Sequence, residues 1–230
     1  FCISIDGIHG YYFPVGHDNP KDNIPLKSVQ TFLEKMWAIE DSVTIFHNSH
    51  FDMQLLEYMP GTKPGWTPFE ASKRFEDTLI ISKLCDTSRM THGLKSLSKE
   101  FLNMEMIELH EVESAKRGGK KVKRNDVKFA TYDPNWAPCK YYAGSDAICT
   151  YKLYEVLKSK NMDYLWQMKR SDGQVVSGPG KILYQLERHV IRATMAMENS
   201  YIAVSYDELE TWIKVGQEEL YNSIVDLYKM

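Results

Sequence analysis

The sequence has few cysteines and no long apolar run, and these absences exclude several classes of protein. Its four cysteines, at positions 2, 85, 139 and 149 of 230 residues, form no Cys-x-x-Cys pair. A zinc ribbon and a disulfide scaffold are therefore disfavoured, and a reducing compartment is favoured. No apolar run approaches the about 20 residues of a membrane span, and no basic segment precedes the apolar start as it would in a signal peptide. We expect a cytoplasmic protein with no membrane partner.

Several catalytic signatures are also missing. The seven histidines form no His-x-His or His-x-x-x-His pair, so we assign no transition-metal site. The sequence contains no GxxxxGK[ST], GxGxxG or GxSxG motif, which excludes the P-loop, dinucleotide-binding and nucleophile-elbow classes. What is present is a globular composition, with 43% hydrophobic and 26% charged residues and a formal net charge of −3. This composition predicts a folded protein with a substantial core.

Short apolar strands alternate with helical patterns, which favours an α/β chain with a mixed sheet. Residues 166–180 predict a linker, which separates residues 1–165 from two amphipathic helices in residues 181–230. Both ends of the sequence fall inside a strand or helix pattern, so we expect the chain to be part of a longer protein. The predicted strands are 1–6, 11–15 and 42–46, and the predicted helices are 28–39, 52–58, 77–84, 93–102, 133–158, 181–198 and 206–229.

Asp52 is the first candidate for a functional carboxylate. It follows the short strand 42–46 in the pattern Asn48-x-x-x-Asp52. Side chains at a strand end are held by the sheet and can be aimed into a cleft. The same pattern also fits an aspartate that only caps the following helix.

Tyr142 and Asp146 form a second candidate pair. They are four residues apart in a predicted helix, a spacing that places a phenol and a carboxylate on one helix face. Carboxylates bind hard cations such as Mg²⁺, and a phenol can orient a metal-bound water. The alternative is a core-facing tyrosine beside a solvated aspartate.

A basic segment forms the third signal. Seven of the 28 lysines and arginines lie between Lys116 and Lys128, with one acidic residue, Asp126. A basic loop on an acidic body fits contact with a phosphate backbone, and it also fits a solvated loop. The candidate nucleic-acid contacts in it are Lys120, Lys121, Lys123 and Arg124.

Six segments in order resemble the 3′–5′ exonuclease domain of family A DNA polymerases, the DNA polymerase I type. The resemblance implies an RNase H-like exonuclease fold over residues 1–165 and the start of a helical polymerase thumb over residues 181–230. One departure is clear: the first motif of the family, Asp-x-Glu, does not occur in this sequence. The matching segments are residues 11–17 (YYFPVGH), 47–52 (HNSHFD), 75–84, 92–97, 142–147 (YAGSDA) and 197–204.

The resemblance implies phosphodiester hydrolysis with two divalent ions, Mg²⁺ or Mn²⁺. Asp146 and Asp52 would be metal ligands, and Tyr142 would orient the attacking water. Asn48 and His50 would contact the terminal phosphate or order Asp52. The implied partners are a single-stranded 3′ end of DNA, a primer–template and the rest of a monomeric polymerase that proofreads new DNA in a bacterial or phage-infected cell.

Three alternatives stay open at this stage. An RNase D-like exonuclease of the same superfamily would take RNA ends. A non-catalytic exonuclease-like scaffold would explain the missing Asp-x-Glu motif. A generic α/β binding domain would carry the six segments by chance.

Overall fold

The computed structural model of the chain describes residues 1–57, 74–116, 120–123, 127–200 and 205–229. Strands and helices alternate in its first half, and helices dominate its second half. The strands are β1 (Cys2–Ile3), β2 (Tyr11–Tyr12), β3 (Thr44–Phe46), β4 (Phe75–Asp77), β5 (Gln167–Lys169) and β6 (Val175–Ser177). The helices are α1 (Leu26–Trp37), α2 (Ser49–Glu57), α3 (Thr78–Cys85), α4 (Leu94–Leu97), α5 (Leu109–Lys116), α6 (Ala137–Trp166), α7 (Pro179–Asn199) and α8 (Tyr206–Lys229), with a π-helical turn at Ser98–Leu102 after α4.

The strands pair in both directions. β1 and β2 form an antiparallel pair in which Cys2 lies opposite Tyr12. β3 and β4 are parallel, and Phe46 lies opposite Asp77. Parallel strands end at the same edge, so the residues that follow β3 and the last residue of β4 lie together. This edge carries the first part of the candidate site.

Helix α6 supplies one side of the main core. Leu153 and Leu157 are fully buried and lie four residues apart, so they share one helix face. Ile81 of α3 and Tyr184 of α7 pack in the same cluster. A second cluster forms where Val29, Leu33 and Trp37 of α1 meet Leu56 of α2, and the spacing in α1 is that of a single buried helical face.

The helix limits differ from the predicted ones in ways that affect the site. Helix α2 begins at Ser49, so Asp52 lies in its first turn and does not cap it. Helix α6 continues to Trp166, past the predicted end at 158. Strand β4 and helix α5 were not predicted, because three residues are too few for a strand pattern and α5 has a weak apolar face.

The predicted linker contains a hairpin. Strands β5 and β6 pair antiparallel, with Met168 opposite Val176. Gly173 has φ +86° in the turn between them, a conformation that glycine adopts readily. The dipeptide Asp172-Gly173 is a hairpin signal in the sequence.

By their internal contacts, residues Phe1–Arg192 and Ala193–Met230 form two compact units. This division falls inside α7, and Tyr184 of that helix belongs to the core of the first unit. The compact units are thus a different division from the predicted segments 1–165, 166–180 and 181–230, whose limits stay a prediction. Of the helices that the structure describes, none is long and apolar enough to cross a membrane.

Candidate active site

The turn between β3 and α2 is tight, and it is held by a carboxylate from the neighbouring strand. Asn48 has φ 72°, a left-handed conformation that asparagine tolerates better than most residues. Its backbone N–H donates to Asp77 Oδ1 at 3.2 Å, and the N–H of Ser49 donates to Asp77 Oδ2 at 2.7 Å. Helix α2 can therefore begin directly after the strand, with His50 and Asp52 in its first turn.

Asp77 is a buried carboxylate with a full set of partners. It is 1% exposed and accepts five hydrogen bonds: two from the turn amides, one from Ser49 Oγ at 2.6 Å, and two from the first N–H groups of α3, those of Leu79 and Ile80. It is therefore the N-cap of α3 and a brace for the turn before α2. This role of Asp77 was not predicted, although Asp-Thr before an apolar run is an N-cap signal.

Asp52 has very different surroundings. Its side chain is half-buried, and no described residue donates a hydrogen bond to its carboxylate. Burial, together with the negative charges of Asp77 and Asp146, raises the pKa of Asp52 to about 7. The ionised form is thus disfavoured by desolvation and by like charge.

Tyr142 and Asp146 lie one turn apart on α6, as predicted from their spacing. Asp146 is half-buried, and burial raises its pKa to about 6. The positive charge of Lys95 lowers this pKa, and the negative charge of Glu108 raises it. Asp146 is therefore a second desolvated carboxylate, close enough to Asp52 for the two charges to interact.

Cys2 of β1 is close enough to both aspartates for their charges to act on its thiol. Burial is the main reason why the pKa of its thiol rises to about 11, and the charges of Asp146 and Asp52 add to the effect. The β1–β2 hairpin also packs tightly on α6, because a Cβ at Gly10 would lie 2.6 Å from the Cα of Gly144. Gly144 stands between Tyr142 and Asp146, so this close approach fixes the hairpin against the helix turn that carries both side chains.

Aromatic and cationic groups surround the ring of Tyr142. The Phe129 ring lies 5.9 Å from it, centroid to centroid, and Lys95 Nζ lies 4.9 Å from its centroid. Phe129 also packs against Tyr12 and His17.

The buried ring of His17 is held from both sides. Its Nδ1–H donates to the Tyr132 carbonyl at 2.9 Å, so Nε2 accepts from Tyr12 Oη. Phe129 contacts both this ring and the ring of Tyr142, so the held His17 ring restricts the movement of Phe129 beside Tyr142. Lys95 and Glu108 were not predicted, since their approach to α6 depends on contacts distant in sequence.

The described lysines of the basic segment make no bond to the two aspartates. Lys120, Lys121 and Lys123 are exposed, and none forms a hydrogen bond or ion pair with Asp52 or Asp146. Val122 between them is buried, and its N–H donates to Ser114 Oγ at 2.9 Å. This anchor turns the three lysines toward solvent. Arg124 lies outside the described residues.

The two aspartates offer part of what a divalent cation needs. Asp52 and Asp146 offer hard oxygen ligands, and a cation between them would offset the desolvation and repulsion that raise their pKa values. Among the described residues, no group of three or more histidine, cysteine, aspartate or glutamate side chains has the geometry of a metal site. The two aspartates can therefore supply part of the ligands for Mg²⁺ or Mn²⁺. Two carboxylates alone are too few to bind a pair of ions.

Comparison with protein families gives a match over most of the chain. The family model of the DNA polymerase A exonuclease domain, described as 3′–5′ exonuclease, matches residues 2–161. The chain belongs to this 3′–5′ exonuclease family. The resemblance predicted from the six sequence segments is thereby confirmed, and so is the α/β, RNase H-like exonuclease fold.

Two individual proteins are similar to this exonuclease chain. The DNA polymerase of Escherichia phage T5 is 28% identical over 133 residues, which cover 56% of the chain and 15% of that polymerase. A solved structure described as the apo form of the nuclease is 20% identical, covers 76% of the chain and 68% of that protein, and has a TM-score of 0.44. With the family match, the polymerase relative makes this chain an exonuclease domain of a DNA polymerase-like protein, and so a nuclease-type enzyme.

Proposed function

We propose that the chain removes nucleotides from the 3′ end of DNA in a metal-dependent reaction and proofreads for a family A DNA polymerase. The observation that supports this most strongly is the placement of Asp52 and Asp146. Both are desolvated, both have raised pKa values, and each lacks a hydrogen-bond donor among the described residues. Such an arrangement is unfavourable for folding alone, and it becomes favourable when a cation binds.

Asp146 and Asp52 would hold two Mg²⁺ or Mn²⁺ ions together with ligands that are not among the described residues. Bound divalent ions supply a hydroxide nucleophile at neutral pH and stabilise the leaving 3′ oxygen. The role of the protein is to position the two carboxylates. The hydrogen bonds of Asp77 fix the start of α2, and the contact at Gly10 fixes the turn of α6.

Tyr142 would orient the attacking water. A phenol with an ordinary pKa of about 10 is a poor base at neutral pH, so this role is orientation rather than deprotonation. The ring packs against Phe129 and lies under Lys95, which restricts the directions in which the hydroxyl can point.

Asn48 and His50 would contact the terminal phosphate, since they flank the start of α2 next to Asp52. Exposed Lys120, Lys121 and Lys123, with Arg124, would bind the DNA backbone without reading its sequence. The other proposed partners are a primer–template and the remainder of a polymerase chain that acts as a monomer in a bacterial or phage-infected cell. Residues 181–230 would begin its thumb.

The test is release of 3′-terminal nucleotides from 5′-labelled single-stranded DNA by the full-length natural protein, with Mg²⁺ or with EDTA. We expect Mg²⁺-dependent degradation, which D146A lowers by about 1,000-fold or more while primer extension is nearly unchanged. Y142F should lower it less than D146A does. The matched control is E155A, an exposed acidic residue on the same helix, which should leave both activities intact. Equal loss of both activities in D146A would contradict the site.

A second candidate is a non-catalytic, exonuclease-like scaffold, and the observation that favours it is the absence of an Asp-x-Glu motif from this sequence. The same assay separates the two functions. Full primer extension with no Mg²⁺-dependent degradation of single-stranded DNA would support the scaffold.

A further inference from the structure

Lys95 has a more constrained position than a surface lysine. Its Nζ donates to the carbonyl of Ile107 at 2.8 Å and forms an ion pair with Glu108 Oε1, also at 2.8 Å. The same ammonium lies 4.9 Å from the centre of the Tyr142 ring. Its side chain is 28% exposed, whereas that of Lys99, one turn further along, is 70% exposed.

These contacts place a fixed positive charge over the face of the phenol. An ammonium has three N–H donors, and two of them are directed at the carbonyl of Ile107 and the carboxylate of Glu108. A cation over an aromatic ring is attracted by the negative face of that ring, and here the cation cannot follow the ring if the ring turns. Phe129 contacts the ring of Tyr142 as well, so the ring is restrained by two neighbours.

We propose that Lys95 is a positioning residue for the exonuclease reaction, which holds the hydroxyl of Tyr142 over the turn of α6 that carries Asp146. The Lys95–Glu108 pair is the element that fixes the ammonium. This inference rests on the function proposed above, since it requires that the hydroxyl of Tyr142 acts in the reaction. Lys95 itself is assigned no contact with the reacting atoms.

A positioning role predicts a particular kinetic pattern. Loss of the ammonium lets the ring swing about the Cα–Cβ bond, which displaces the hydroxyl, so fewer enzyme molecules hold the water in line, and kcat falls while KM changes little. If Lys95 instead bound a DNA phosphate, its removal would raise KM and would make DNA binding less sensitive to salt. Arginine should replace lysine well for positioning, because its guanidinium also lies over aromatic rings and pairs with carboxylates.

The experiment measures kcat and KM for degradation of single-stranded DNA by the full-length natural protein and by K95M, K95R and K99M. Lys99 is the matched control, because it also pairs with a glutamate, Glu105 at 3.0 Å, but at an exposed position. We expect K95M to lower kcat about tenfold with KM within about twofold, K95R to recover most of the rate, and K99M to behave as the unmodified protein. Unchanged primer extension checks that each variant is folded.

A double-mutant cycle with Y142F shows whether Lys95 acts through the hydroxyl. Y142F keeps the ring and removes only the hydroxyl, so K95M should have no further effect on kcat in the Y142F background. A full further tenfold loss in the double variant would overturn the proposal, and so would a change in KM alone or an equal effect of K99M.

D146A in the same assay separates failure of this inference from failure of the proposed function. An inactive D146A with a normal K95M would reject only the role of Lys95. A fully active D146A would reject the proposed site, and absence of Mg²⁺-dependent degradation by the unmodified protein would reject the proposed function itself.

Discussion

Asp77 and Asp52 lie near the same edge of the β3–β4 pair, yet their surroundings are opposite. Asp77 is buried with five hydrogen bonds, from the turn before α2 and from the first turn of α3. Asp52 has no donor among the described residues, and its pKa is raised to about 7. A buried carboxylate with a full set of donors stabilises the fold, whereas one that is desolvated without donors destabilises it. The number of hydrogen-bond donors thus distinguishes Asp77, which stabilises the structure of the site, from Asp52 and Asp146, which we propose to act in the reaction.

The largest effect on stability is expected at Asp77. D77A removes the acceptor of the buried N–H group of Ser49 and of the partly buried hydrogen bonds from the N–H groups of Asn48 and Leu79, and a buried group left without an acceptor costs about 1–3 kcal/mol. We expect the free energy of unfolding of the chain to fall by about 4 kcal/mol, as measured by chemical denaturation. D172A removes an exposed turn aspartate and is the control. A loss in D77A no larger than in the control would remove the distinction between the two kinds of carboxylate.

A change of stability with pH is the next largest effect. The pKa of Asp52 is raised on folding, so the folded chain binds more protons than the unfolded chain between about pH 4 and pH 7. Without divalent cations, stability should therefore rise by about 2 kcal/mol when the pH falls from 7 toward 4. Asp146, with its pKa near 6, contributes in the same direction.

The measurement for this prediction is denaturant unfolding in EDTA at several pH values. In D52N the contribution of Asp52 disappears, so the pH dependence should become weaker. Stability that rises with pH over this window, in both proteins, would show that the aspartates are not desolvated as described.

Tyr184 extends the support of Asp77 to α7. Its hydroxyl accepts from the N–H of Asp77 at 2.8 Å and donates to Glu76 Oε2 at 2.5 Å. Y184F removes both bonds, and we expect about 1–2 kcal/mol of lost stability. Y206F, at an exposed tyrosine of α8, is the control and should lose nothing. Equal stabilities of the two variants would mean that the brace does not extend beyond β4.

The smallest effect concerns the hairpin on α6. G10A places a methyl group 2.6 Å from a backbone atom of Gly144, so the hairpin must shift and stability should fall by about 1 kcal/mol. The reciprocal change G144A meets Gly10 only at 3.6 Å, an ordinary contact. In a helix, alanine is favoured over glycine, so G144A should be neutral or stabilising in thermal unfolding. The opposite order would contradict the described packing.

The sequence predicted the local positions of Asp52, Tyr142 and Asp146 better than it predicted the groups around them. The spacing of Tyr142 and Asp146 in a helix, and the position of Asp52 after a strand, follow from local patterns. The roles of Lys95 and Asp77 depend on contacts across the fold, with Tyr142 and with the turn at Asn48. Local periodicity carries no information about such contacts.

The fold, like the site, was predicted in its local elements and missed where strands form through pairing. Its α/β class followed from the alternation of elements, and α8 was predicted with its observed limits. Strand β4 was missed because its three residues gain their conformation from pairing with β3. The β5–β6 hairpin lies within the predicted linker and was not predicted, because its glycine and polar residues outweigh the short strands on each side.

We propose that Asp52 serves the reaction at the expense of stability. The most direct test measures two properties of D52N: nuclease activity of the full-length natural protein on single-stranded DNA with Mg²⁺, and the free energy of unfolding of the chain at pH 7 in EDTA. We expect activity to fall by orders of magnitude while stability stays the same or rises, because a neutral amide replaces a desolvated charge. Retained activity, or a stability that falls together with activity, would contradict it.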